Sequence, residues 1–172
     1  MSNKPEIRSI LLSEWSEYRD IRLRALKESP EAFGSTYARE SGFSDVDWKS
    51  RLEISDPVAS APVVACHGGR FVGLAWGKIE SPDRHIAHLY QMWVDPKHRG
   101  FGLGRLLVEA VIDWAQGQGV RTMMLEVTEG ERPARSLYEA LGFQPVGELI
   151  PQRPGSDLLE QTMILKLTQQ DH

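Results

Sequence analysis

The chain has 172 residues, 41% of them hydrophobic and 26% charged, the ordinary balance for one globular domain with its own core. Its formal net charge of −4 speaks against a nucleic-acid-binding domain, which is usually basic. The lone cysteine, Cys66, rules out an intrachain disulfide and fits a reducing, cytoplasmic setting.

The opening "MSNKPEIRSI" has no apolar signal core, and no apolar run approaches the ~18 residues of a membrane span. "EIRSIL" reads as a first strand. Ser13 is placed to cap a helix running to about Lys27, with Trp15, Tyr18, Arg22, Ala25 and Leu26 on one side. The stretch from about Ser29 to Pro57 is polar, aromatic and poorly periodic, with a short helix that Ser44 caps. It fits a lid or binding loop and plain surface packing equally well. "PVVACHG" turns through Gly68 and Gly69 into "RFVGLAWGKIE", the mark of a hairpin, with Cys66 a buried core thiol. "HIAHLYQMWV" is almost continuously apolar, as suits a central strand covered on both faces. From Gly102 a helix carries Leu103, Leu106, Leu107, Ala110, Val111 and Trp114 at helical spacing, and Gly117 and Gly119 end it. "RTMMLEV" is a fifth strand. "RPARSLYEALG" is a helix with Pro133 in its first turn and Gly142 past its end. "FQPVGEL" and "LLEQTMILKL" close the chain as strands. This order predicts an α+β or mixed α/β domain, residues 1–172, with a largely antiparallel sheet. Its parallel part is the strand–helix–strand unit from Tyr90 to Val127.

The motif "HRGFGLGRLL" spaces three glycines at every second position at the mouth of a helix. Glycine is poor inside regular structure, so the backbone here must come close to something. A strand end, a glycine turn and a helix start make an anion site, because the first helical amides point outward and the dipole favours negative charge. Arg99 and Arg105 flank it, and a phosphate or pyrophosphate is the natural occupant. The P-loop pattern is absent, and a dinucleotide GxGxxG would need its third glycine at Arg105. No metal-ligand spacing is present, since the histidines form no HExxH and one cysteine cannot make CxxC.

Arg99, Gly102 and Gly104 as R-x-x-G-x-G, directly after "MWVDPKH", together with "ARSLYEALGF" about thirty residues later, resemble the GNAT family of N-acetyltransferases. The resemblance spans about Glu6 to Leu167 and is specific in Leu89–Val127 and Ala134–Phe143. It implies that the strand before the loop splays at a bulge, and that Met92, Trp93 and Val94 bind the pantetheine arm of acetyl-CoA. It implies that the backbone of Arg99, Gly100, Phe101, Gly102, Leu103, Gly104 and Arg105 holds the pyrophosphate, and that Tyr138 sits near the thioester sulfur. Many members carry Asn where this chain has Glu131, so that contact is not carried over. A homodimer is an arrangement the resemblance allows.

Acetyl transfer to an amine needs a neutral amine, and a lysine-like amine of pKa ~10.4 is neutral in only about one molecule in 2,500 at pH 7. A base must therefore take a proton, and an acid must help the thiolate leave. Tyr138 is the acid the resemblance implies. His88, near the expected bulge, is the first candidate base, with an ordinary pKa of ~6.5. Glu126 and Glu80 on neighbouring strands are the others, and His85 reads as solvated. Trp76, Trp93, Phe33 and Tyr37 read either as packing residues or as walls of an acceptor pocket. The expectation is an acetyl-CoA-dependent N-acetyltransferase acting on a small-molecule or peptide amine by direct attack in a ternary complex. No nucleic acid or membrane partner is expected. Two other readings stay open: an acyltransferase with another acyl-CoA or acceptor, and a CoA-binding regulatory module without turnover.

Overall fold

The structure is a computed structural model that describes residues 4–54, 56–79 and 84–167. It is a mixed α/β fold in which helices cover both faces of one seven-stranded, mostly antiparallel sheet. Strand β1 (Glu6–Ser9) leads to a 3-10 turn, Leu12–Glu14, and to helix α1 (Trp15–Glu28). Ser13 is not the cap of α1, because it lies inside that turn. The fastening there is Glu14, whose carboxylate accepts the Leu11 N–H at 2.9 Å and pairs with Arg8 at 2.7 Å. Two short helices follow, α2 (Tyr37–Glu40) and α3 (Asp45–Leu52). Ser44 caps α3 as its sequence predicts, with Oγ accepting the Asp47 N–H at 3.2 Å.

Strands β2 (Ser60–His67) and β3 (Arg70–Ile79) form the predicted hairpin, and Gly68 and Gly69 both take the positive φ such a tight turn requires. Then come β4 (Ile86–Val94), α4 (Leu103–Gly117), β5 (Thr122–Thr128), α5 (Arg132–Ala140), β6 (Gln144–Pro151) and β7 (Leu159–Lys166). The strand order is β1-β2-β3-β4-β5-β7-β6, and only the β4–β5 pair is parallel. No described helix is long and apolar enough to cross a membrane.

The sheet separates two cores. On one face α4 buries Leu103, Leu107, Val108, Val111 and Ala115 against Ala75, Ala87, Leu89, Met123 and Leu125. Helix α4 comes close because β3 carries glycine at the contact: a Cβ on Gly77 would lie 2.7 Å from Val111 and Trp114. Leu106 does not join this stripe and is exposed. Successive helical residues are 100° apart, and the buried face leans from Leu107 toward Val108, which turns Leu106 to solvent. On the other face α1 and α3 pack Tyr18, Ile21, Leu26 and Trp48 onto Val64, Leu74, Trp76 and Trp93. Cys66 belongs to this second core, so it is the buried thiol the sequence predicts.

Candidate active site

The site begins where the sheet fails to close. β4 and β5 pair only from Ile86–Thr122 to His88–Met124, and from Leu89 onward the two strands part. The cause lies in β4 itself. Gln91 has φ 57°, the only positive value at a described non-glycine residue, and the β3–β4 register shifts between Leu74 and Trp76 at this point. An extra residue in one strand reverses the alternation beyond it. Leu89 faces the α4 core before the bulge, whereas Val94 faces it after, and Trp93 turns to the α1 core. The bulge therefore consists of Gln91 and Met92, which together stand opposite Ala75. Glutamine carries no sequence mark for such a position, but the structure shows what holds it. The buried Tyr18 hydroxyl donates to Gln91 Oε1 at 2.7 Å.

On the α4 side of the gap lies a groove of about 390 Å3, lined by Met92, Trp93, Val94, Arg99, Gly100, Gly102, Leu103, Gly104 and Arg105, and across from them by Glu131, Ala134, Leu137 and Tyr138. Gly102 caps α4 with φ 80° and offers no side chain to its first amides. Those amides have no intrahelical partner by the geometry of a helix start. A Cβ on Gly100 or Gly102 would meet nothing within 4 Å, so no neighbouring atom closes over the loop at these two positions. Gly104, one turn in, is closed instead, with its Cβ position 3.1 Å from Met92 and 3.2 Å from Leu137, so it brings α4 against β4 and α5. An open run of first-turn amides beside two arginines suits a pyrophosphate, so these residues fit the acetyl-CoA that the resemblance implies. Both arginines are partly occupied. Arg99 donates to the Val94 carbonyl at 2.9 Å and pairs with Glu28 at 3.0 Å, and Arg105 pairs with Glu109 at 2.7 Å. The side chain of Phe101 is exposed and forms no part of the groove wall, so only its backbone belongs to the loop.

On the α1 side lies a second cleft of about 620 Å3. Its wall includes Arg22, Phe33, Ser35, Lys78, Tyr90, Gln91, Glu126, Gln152 and Glu160. The two cavities share Ala32, Met92 and Tyr138. Tyr138 is buried with its ring edge-on to Phe143, and burial raises its hydroxyl far above the usual tyrosine range. It stays protonated at any physiological pH.

The candidate bases divide. Glu126 on β5 forms part of the cleft wall. His88 lines neither cavity. It stacks on Tyr90 and lies behind Glu126, with Nε2 3.5 Å from Oε1. Glu80 falls outside the described residues, and His85 is exposed as expected. Glu160 escapes the sequence reading altogether. It reaches the same wall because β7 inserts between β5 and β6, with Glu126 opposite Thr162 and Thr128 opposite Glu160. Burial, and then the charge of Glu126, raise its carboxyl above the ordinary range. Phe33 joins the cleft wall, while Tyr37 lies outside it and is exposed. Trp76 packs in the α1 core with Nε1 donating to Ser60 at 2.8 Å, and Trp93 both packs there and lines the groove.

Behind the cleft runs a buried polar chain. Arg22 donates through Nε and Nη2 to the two oxygens of Glu40, at 3.0 and 2.9 Å, and Arg51 donates to Glu40 Oε1 at 2.9 Å. The segment that walls the cleft after α1 is strapped down by the two residues that follow β6. Gln152 donates to the Glu31 carbonyl and to Thr128 Oγ1, and Arg153 to the Phe33 carbonyl. Of the two open readings of Ser29–Pro57, the part from Ala32 to Ser35 walls a cavity, and α3 packs in the core.

The model of the Acetyltransferase (GNAT) family matches residues 10–143. A mycothiol acetyltransferase of Corynebacterium glutamicum is 27% identical over 83% of this chain and 44% of its own length. The [ribosomal protein bS18]-alanine N-acetyltransferase of Escherichia coli is 38% identical over 47% of this chain and 55% of its own length. The chain spans about half the length, or less, of these curated relatives. Among solved structures, a GNAT-family acetyltransferase from Streptococcus pneumoniae superposes with a TM-score of 0.84 at 21% identity, over 96% of this chain and all of that one. A putative acetyltransferase from Salmonella typhimurium, solved with its cofactor acetyl-CoA, gives 0.80 at 22%, over 98% and 97%. The splayed β4–β5 pair and the glycine-capped α4 thus lie within a matched family model, and the chain belongs to the acetyltransferase (GNAT) family.

Proposed function

We propose that this protein transfers the acetyl group of acetyl-CoA to a primary amine, both bound at once, one in each cavity. The observation that carries this reading is that the groove below the α4 glycine loop and the cleft below α1 meet at Tyr138 and Met92. Bound acetyl-CoA supplies an activated acetyl thioester. The loop amides from Gly102 to Arg105 neutralise the pyrophosphate, and the backbone of Met92 to Val94, beyond the last β4–β5 pair, offers free hydrogen-bonding groups to the pantetheine arm. Glu126, in the cleft wall, takes the proton that the amine must lose, directly or through one water, and His88 behind it orients that carboxylate or receives the proton in turn. Tyr138 keeps its proton through burial and donates a hydrogen bond to the departing sulfur, so that CoA leaves as the thiolate while the amine's proton goes to Glu126. No covalent acyl carrier is needed, and Cys66 lies in the α1 core, away from both cavity walls.

The direct test is release of CoA thiol from acetyl-CoA in the presence of a panel of amines and peptides, with mass spectrometry of the products. Amine-dependent thiol release with a product heavier by one acetyl group is the expected result. Tight acetyl-CoA binding with no turnover on any amine would instead favour a regulatory module.

A further inference from the structure

Several polar groups of the cleft wall have no part in the reaction above, and Arg22 is the most deeply buried of the charged ones. Arg22 on α1 is only 5% exposed, yet it forms part of the wall. Two of its three nitrogens bind Glu40. The third, Nη1, is buried and has no acceptor among the described residues. Buried donors in folded proteins are almost always paired, so an unpaired one needs an explanation. Glu40 is also shared with Arg51, so two guanidiniums face one carboxylate and leave positive charge in excess. An arginine cannot shed that charge by losing a proton. Lys78 on β3 lies in the same cleft.

The opposite side has the opposite sign. Glu126 on β5 and Glu160 on β7 present carboxylates to the cleft. Helix α1 packs over β3 and β4, and β5 and β7 are the next strands across the sheet. The cleft is therefore positive beneath α1 and negative over β5 and β7. Its volume of about 620 Å3 falls within the range of small-molecule sites.

We infer that the acceptor is a small amino acid: its ammonium group faces Glu126 and Glu160, and its carboxylate takes the free Nη1 donor of Arg22. The inference rests on the acetyl-transfer reading above and narrows its acceptor class. A guanidinium reads a carboxylate through charge-assisted hydrogen bonds, which are about twice as strong as neutral ones. A peptide N-terminus offers only a neutral carbonyl at the same place and leaves the excess charge beneath α1 uncompensated.

The test uses matched acceptors: the common L-amino acids as free acids, the same residues as C-terminal amides, the corresponding decarboxylated amines, and short peptides. Thiol release from acetyl-CoA is followed for each. Free acids should exceed their amides in kcat/KM by about ten- to a hundredfold, the worth of one hydrogen bond to a charged group. Arg22→Lys keeps a cation opposite Glu40 but removes Nη1, and the acid-to-amide ratio should fall toward one. If that variant does not fold, the acid-to-amide ratio of the unaltered protein decides alone. Equal rates for acids and amides, or turnover of peptides or simple amines but not of free acids, overturn the inference and leave the acetyltransferase reading standing. Acetyl-CoA binding without thiol release to any acceptor class overturns both.

Discussion

Acid should destabilise this fold through Glu40, by an amount set by what surrounds that carboxylate. Glu40 is 1% exposed and takes three charged hydrogen bonds from Arg22 and Arg51 between 2.9 and 3.0 Å. Burial alone would favour its neutral form, but the hydrogen bonds and charge of Arg22, with help from Ser35 and Arg51, outweigh it and bring the carboxyl from the ordinary 4.5 down to about 2. A folded-state value below the unfolded one means that the stabilisation is complete above about pH 4.5 and is lost as pH falls toward 2. At 1.36 kcal/mol for each pH unit of that gap, the loss is about 3 kcal/mol, a sizeable part of the 5–15 kcal/mol that holds an ordinary domain together. Glu14, Glu28 and Asp95 are also held below the ordinary range, so acid titration of the unaltered protein reports several groups together. Comparison with Glu40→Gln isolates one. At pH 7 the variant leaves the buried Arg22 and the half-buried Arg51 without their counter-charge and should be less stable by about 3 kcal/mol. Near pH 2 the native carboxyl is itself losing its charge, and the two proteins should converge. Urea unfolding followed by circular dichroism at steps from pH 7 to pH 2 measures the gap directly. A gap that stays constant over that range refutes the argument.

Gly102 sits at φ 80° with open space where a Cβ would point. Gly102→Ala should cost about 1–2 kcal/mol in left-handed backbone strain and obstruct the approach of a phosphate. Thermal melts should therefore show both a lower midpoint and a smaller upward shift with acetyl-CoA, and an unchanged acetyl-CoA shift would remove Gly102 from the anion site. Tyr138→Phe keeps the ring against Phe143 and loses only the hydroxyl, so turnover should fall by roughly ten- to a thousandfold while acetyl-CoA affinity stays the same. Unchanged turnover, with chemistry limiting the rate, would leave Tyr138 a packing residue. Glu126→Gln should lower turnover by roughly a hundred- to ten-thousandfold, whereas His88→Ala should lower it by only about tenfold. The reverse pattern would make His88 the base and Glu126 its support.

The parts of this molecule that are legible in its sequence are those fixed by neighbours along the chain. The Gly68–Gly69 turn, the Ser44 cap and the glycine mouth of α4 each follow from the conformations a few adjacent residues allow. The Gln91 bulge does not, because the contact that stabilises it comes from Tyr18 on a distant helix. Glu160 could not be joined to Glu126 without knowing that β7 inserts between β5 and β6, an arrangement that hydrophobic alternation within each strand does not encode. Arg22 did leave a signal. It stands in an apolar stripe with Tyr18, Ala25 and Leu26, and a charge on a buried face must find a partner. The stripe announces that a partner exists, but not that Glu40 satisfies only two of its three nitrogens.

Tyr18 and Arg22 are four residues apart on α1 and share one face of it. The first holds the bulge that parts β4 from β5, and the second carries the free donor in the cleft wall. Arg51 touches both ends of this arrangement, approaching the Tyr18 hydroxyl at 3.4 Å and Glu40 Oε1 at 2.9 Å. One helix face therefore fixes the strand geometry from which the thioester is to be held and the charge by which an acceptor is to be oriented. In the reaction proposed above, a displacement of α1 would move both together and so keep the amine and the acetyl group in register with each other. The demand is strict, because reacting atoms must approach to about 3–3.5 Å in the right direction before chemistry proceeds. Aromatic packing of Tyr18 against Trp48 and Trp76, at 5.8 and 5.5 Å between ring centres, stiffens that face at the point where both functions meet.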